Sequence, residues 1–235
     1  MKFIKILLML LIIIITSCVE MQPEFFENEF LGANNNGNYE IVEPEIYNGV
    51  PTSKREKLLN ENFDNNNNLW AIVNTSQAYT SIENSTYIFQ NKLSYTQISA
   101  INTIINTDRN FEIETNFKIS SSLNNNGNSL VWGYDETVEF WFFCFSISSD
   151  QNLWIGNFIF ETYNPWQNWL ALNVKPENEY NKLTVRKINN NYYFFINEQF
   201  VISHLFETFY DNNIGFKAEA NTTLQIDYLK IDYIN

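Results

Sequence analysis

Histidine is nearly missing from this 235-residue chain, which holds only His204, and cysteine occurs twice, proline five times and glycine seven times. Each shortage closes a class of function. One histidine cannot build a zinc cluster or supply a zinc enzyme with its usual ligands. A thiol protease would need that same histidine beside a cysteine, yet His204 sits in VISHLF and reads as an ordinary strand residue. Seven glycines leave no Gly-rich loop to cradle a phosphate. Cys144, in EFWFFCFSI, reads as a buried apolar filler rather than a nucleophile.

The second scarcity is positive charge, with 14 Lys and Arg against 27 Asp and Glu. Two of those lysines, Lys2 and Lys5, precede an apolar run from Ile6 to Ile15 that ends in Thr16, Ser17 and Cys18. A run of that length is too short to span a bilayer, and a charged start followed by an apolar stretch is the layout of a secretory leader. The stretch resembles a bacterial lipoprotein signal covering residues 1–17, with Cys18 as the residue that would carry lipid; Ile15 stands where such signals usually have Leu. A short uncleaved anchor is the alternative, and both readings put the rest of the chain outside the cytoplasm. A lipidated Cys18 would leave Cys144 without a disulfide partner. Without Lys2 and Lys5, 12 basic residues face 27 acidic ones, a formal −15. A nucleic-acid partner is excluded on that balance, and the acidity reads as a solubility device. Membrane contact is expected through the lipid anchor only, in the cell envelope.

Residues 18–56 are rich in Glu, Asn and Pro without periodicity and read as a tether. From 57 to 235 the pattern is strand after strand. FEIETNFKI alternates strictly, Phe111, Ile113, Phe117 and Ile119 on one face and Glu112, Glu114, Asn116 and Lys118 on a face expected to be wet. Further strands are expected at 58–64, 69–73, 85–90, 92–100, 129–134, 138–148, 153–160, 181–188, 192–197, 199–204, 213–219 and 223–233. No segment shows helical spacing over three turns. The fold class is therefore all-β, a two-sheet antiparallel β-sandwich. In NKLTVRKINNNYYFFIN a two-residue loop at Asn189-Asn190 sets Val185 opposite Phe194 and Leu183 opposite Ile196, which gathers four apolar side chains on one face. That loop is expected to hold both asparagines at positive φ.

ENFDNNNNLW, STYIFQNK, NSLVWGY, the Asn181 hairpin and IGFKAEANTTLQIDYLKID follow one another in the order that resembles concanavalin A-like jelly rolls, specifically laminin-G-like and keto-disaccharide-hydrolase-like domains of bacterial exported proteins. That resemblance implies a curved sandwich whose inner sheet offers a concave face to ligands, commonly glycans. Some members are glucanases whose carboxylates lie on one strand as Glu-x-Asp-x-x-Glu. Neither Glu112 with Glu114, nor Asp135, Glu136 and Glu139, reproduces that spacing, so no catalytic residue is assigned.

Two further sets remain. Jelly rolls often hold a structural calcium ion through oxygen ligands, for which Glu61, Asp64, Asp227 and Asp232 are candidates, with loop solvation the other reading. Trp166 and Trp169 lie in ETYNPWQNWL beside Tyr163, Asn164, Gln167 and Asn168, a turn-like stretch. Indole beside amides suits a sugar, whose apolar ring face can lie on the indole; alternatively both indoles cap the core. Trp70, Trp132, Trp141 and Trp154 are expected in the core. Three functions follow: a carbohydrate binder without chemistry, a glycoside-acting enzyme with carboxylates drawn from different strands, or an adhesive surface protein with a protein partner.

Overall fold

Runs of aromatic and β-branched residues separated by asparagine-rich turns favour pleated, half-buried strands. The computed structural model describes residues 32–33, 39–40, 42–122, 125–138 and 141–235. Cys18 with its leader, and Glu139, lie outside the described residues. The chain divides into two units, Met1–Ile41 and Val42–Asn235. In the first, β1 (Gly32–Ala33) pairs antiparallel with β2 (Tyr39–Glu40).

The second unit starts with an irregular segment and a 3₁₀ turn at Thr52–Lys54. Its strands are β3 (Arg55–Glu61), β4 (Val73–Asn74), β5 (Ala78–Ile82), β6 (Tyr87–Asn91), β7 (Gln97–Asn102), β8 (Asn110–Ser121), β9 (Asn128–Asp135), β10 (Trp141–Ile147), β11 (Leu153–Ile159), β12 (Thr162–Leu170), β13 (Asn181–Ile188), β14 (Asn191–Ile196), β15 (Gln199–Leu205), β16 (Asn213–Ala218) and β17 (Thr223–Ile234). Among the described residues these form a sheet in the order β12-β11-β10-β9-β16-β7 and a larger one in the order β15-β14-β13-β8-β17-β6-β5-β4, with β3 also paired to β17. Every pairing is antiparallel. The core lies between the sheets, where Phe117 meets Phe216 edge-on and Phe145 meets Phe194. Trp70 and Trp132 are buried there as expected.

The β13–β14 hairpin has the expected register, Leu183 opposite Ile196 and Val185 opposite Phe194. Only Asn189 takes a positive φ, 52°, so a single left-handed residue closes the loop where two were expected. Strand β5 (Ala78–Ile82) was not expected, β3 ends at Glu61 rather than at 64, and three further stretches differ from the sequence reading. Residues 69–72 are irregular, because the Thr80 hydroxyl donates to Ala71 O and accepts from Val73 N and so replaces ladder bonds. Residues 92–96 are also non-strand: the Asn91 side chain accepts from Leu93 N and donates to Tyr95 O, holding a turn. The 162–170 segment, expected as a turn, is strand β12.

The tether boundary moves as well. Residues 42–56 belong to the second unit and cover the outer face of the larger sheet. Arg186, fully buried, donates to the carbonyls of Pro44, Ile46 and Tyr47 at 3.0, 2.9 and 2.6 Å. The face of β8 expected to be wet is thus partly dry: Glu112 is 4% exposed and paired with Arg186 and Arg55. Glu114 accepts from the hydroxyls of Tyr47 and Tyr228. An unpaired charge would be expensive at this depth; Arg186 and Arg55 meet Glu112, and the strap formed by residues 42–54 supplies the carbonyls that satisfy Arg186.

Candidate functional site

The smaller sheet turns one face to the core and carries a second apolar cluster on the other, containing Val131, Tyr134, Phe142, Cys144 and Trp154 with Phe158, Ile98 and Ala100 packed on it. Strand alternation places these residues away from the larger sheet. One departure from alternation matters. Gly133 has φ +60° and coincides with a register shift between β9 and β16, so Trp132 points into the core while Tyr134, two residues on, joins Val131 on the outer face. Glycine meets that backbone demand without a Cβ penalty.

The pairing registers write out this outer face as rows across the strands. Lys217, Ser129, Ser146 and Trp154 oppose one another in sequence from β16 to β11. Gly215, Val131, Cys144, Gly156 and Pro165 form the next row, small enough to leave a trough. A Cβ on Gly156 would stand 2.7 Å from Trp154 Cη2, so the indole lies across that glycine on the floor. Trp154, expected in the central core, belongs to this outer cluster instead.

Two cavities open along this face. One of about 720 Å³ is walled by Ala71, by Val73 and Thr80 of the larger sheet, and by Tyr95, Gln97, Tyr134 and Phe158. The other, about 370 Å³, is lined by Gly127, Ser146, Trp154, Trp169, Lys217 and Glu219. Thr96 and Tyr163 line both, which makes them one continuous groove. Tyr95, Tyr163 and Trp169 are 61%, 45% and 48% exposed, an aromatic rim above an apolar floor. Such a combination, with a few convergent polar groups, is the usual make-up of a small-ligand site.

The polar groups meet where the cavities join. The buried Lys217 ammonium pairs with Glu219 and donates to the Tyr163 hydroxyl at 3.1 Å, while Thr96 donates to the other Glu219 oxygen at 3.0 Å. Asn128 fixes the same corner by accepting from Glu219 N. Burial raises the Tyr163 hydroxyl above its ordinary pKa, with Lys217 pulling the other way, so the phenol stays protonated at neutral pH. Burial likewise pushes the Cys144 thiol up to about 12, consistent with an inert filler. Gln97 Oε1 is buried with no hydrogen-bond partner.

Of the residues expected to bind ligand, Tyr163 and Trp169 face this groove. Trp166 does not: it turns to the core side, stacked on Tyr192 and on His204, with Phe143 also in contact. The three amides are engaged within the sheet, Asn164 donating to Asn157 Oδ1 of β11, Gln167 to Asn168 O, and Asn168 Oδ1 accepting from Trp169 N. Had 162–170 been read as a strand, the odd spacing of Trp166 and Trp169 would have separated them. Tyr95, Tyr134, Lys217 and Glu219 escaped the sequence reading because strands far apart in the chain bring them together. A lysine within the buried run IGFKAEA was the one local clue.

The calcium candidates are spread out. Glu61 accepts from Phe63 N, Asn68 and Trp70 Nε1, Asp64 from Asn62 and Ser85, Asp227 from Asn116, and Asp232 pairs with Arg55. Among the described residues no group of three or more His, Cys, Asp or Glu is placed to hold a metal ion. Glu112 and Glu114 lie on the larger sheet under the strap, not in the groove.

No family model matches this sequence, and no curated protein does. Solved structures do share its fold. A carbohydrate-binding module, CBM66, from Bacillus subtilis superposes with TM-score 0.53 at 11% identity over 69% of this chain and 94% of that one. The carbohydrate recognition domain of Emp47p gives 0.54 at 11% identity over 79% and 99%. The catalytic domain of a laminarinase from Thermotoga petrophila gives 0.53 at 9% identity over 77% and 98%. The likeness is one of fold: this chain is a two-sheet antiparallel β-sandwich like those domains, as its strand pattern implied.

Proposed function

We propose that this chain binds carbohydrate in the groove on the outer face of the smaller sheet, without chemistry of its own, as the ligand-binding part of an exported lipoprotein held in the cell envelope through Cys18. The observation that carries the reading is the groove itself: exposed Tyr95, Tyr163 and Trp169 over an apolar floor, with Glu219, Lys217 and Thr96 converging midway. Aromatic faces take the apolar face of a pyranose, and the polar cluster meets its hydroxyls. The names of the similar structures, two of them sugar-binding domains, lean the same way. The leader and Cys18 support export and anchoring by their sequence alone.

A glycan array run beside a reducing-sugar release assay tests this. Retention without release is the expected result. Release would make the protein a glycoside hydrolase, and silence in both would favour a protein partner. For the anchor, Cys18→Ser should move the protein from the membrane to the soluble fraction; an unchanged distribution would refute lipidation there.

A further inference from the structure

The charges lining the groove are few, and they are not balanced toward an anion. Lys217 is the only cation among its lining residues, and its side chain is 2% exposed, closed off by Glu219 and Tyr163. Glu219 is occupied in turn by Lys217 and Thr96, so the charge the groove exposes is the Glu136 carboxylate, with the buried, unpartnered Gln97 Oε1 as a further acceptor in the wall. Resting on the binding reading above, we propose that the groove selects uncharged glycans, and that Glu219 and Glu136 set this selectivity.

The chemistry follows from what each ligand group can offer. A sugar hydroxyl or acetamido N–H donates to a carboxylate or an amide oxygen. The charged group of a uronate or sulfate brings only acceptors, and among the described residues no cation other than the already paired Lys217 lines the groove to meet it. It would be partly desolvated over Ile98, Phe142 and Phe158, where repulsion from the Glu136 carboxylate is less screened than in water. Lys217 cannot compensate, because its charge is already met by Glu219. The formal −13 of the whole chain adds repulsion of the same sign at low salt.

The test is a glycan array of the full chain, with neutral backbones paired to their uronate- or sulfate-bearing counterparts. Neutral members should be retained about tenfold or more above their acidic partners. Equal or stronger retention of the acidic members would overturn the selectivity while leaving the binding site intact. Silence on every glycan would overturn both. Glu136→Gln, at an exposed position, should leave the melting temperature unchanged and raise retention of acidic members several-fold. Glu219→Gln, checked for folding by the same melt, should raise it further by freeing the Lys217 charge and should weaken neutral binding. No change in acidic retention in either folded variant would refute the assignment.

Discussion

Arg186 Nε donates to Glu112 Oε2 at 2.6 Å, and neither side chain is more than 5% exposed. The pair is closed over by carbonyls from residues 44–47, a segment whose composition reads as a tether. Removing one partner of a buried pair leaves the other charge uncompensated, so Arg186→Met should destabilise the protein by about 3–5 kcal/mol in denaturant melts. A chain starting at Val42 should melt like the full protein, whereas one starting at residue 57 should be much less stable or unfolded. Equal stability of the two truncations would show that the strap contributes nothing.

Leu183 and Val185 are completely buried on the core side of β13. Alanine at either should leave a cavity and cost about 2–4 kcal/mol. A loss below about 0.5 kcal/mol would mean that the site collapses around the smaller side chain.

Trp166 and Trp169 separate packing from recognition. Trp169→Ala should abolish glycan retention with little change in melting temperature. Trp166→Ala should lower stability by at least about 2 kcal/mol, since it removes stacking on Tyr192 and His204. The reverse pattern would place the ligand on the other side of β12.

Alkaline pH should weaken the fold. Burial raises the Cys144 thiol from 9.0 to about 12, the Tyr134 hydroxyl from 10.0 to about 12, and the Tyr192 hydroxyl as well. Each is an acid that keeps its proton longer when folded, so above its ordinary value the unfolded chain binds fewer protons and stability falls as pH rises. Full stability is held below about pH 9 and lost progressively toward about pH 12. Urea midpoints that stay constant across that window would contradict this assignment of burial.

Calcium at millimolar concentration should not shift the melting temperature. The carboxylates proposed as ligands are engaged elsewhere, Glu61 with Trp70 and Asn68 and Asp232 with Arg55. A rise in melting temperature with added ion would demonstrate a site these contacts do not reveal.

Legibility followed the range of the physical signal. The alternation of Phe111, Ile113, Phe117 and Ile119 showed which side of β8 meets the core, and the β13–β14 register followed from loop length and face matching. The groove was legible only in part. Tyr163 and Trp169 stood out as aromatics in a polar stretch, but mistaking an edge strand for a turn grouped Trp166 with them. Asparagine and proline in that stretch speak for turns, and the strand forms because β11 supplies its ladder partners.

By itself the sequence determined the class of fold, the two-faced strands and the register of the β13–β14 hairpin, because alternation and turn chemistry act over a few residues. Only the tertiary structure decided where charge could be buried and where a ligand could sit. Glu112 looked solvated until Arg186 and the strap were seen to cover it, and Thr96, Tyr163 and Lys217 share one groove because strands distant in the chain are hydrogen-bonded neighbours or face one another across it. Pairings of that kind are set by which sheets pack together, and no local pattern encodes them.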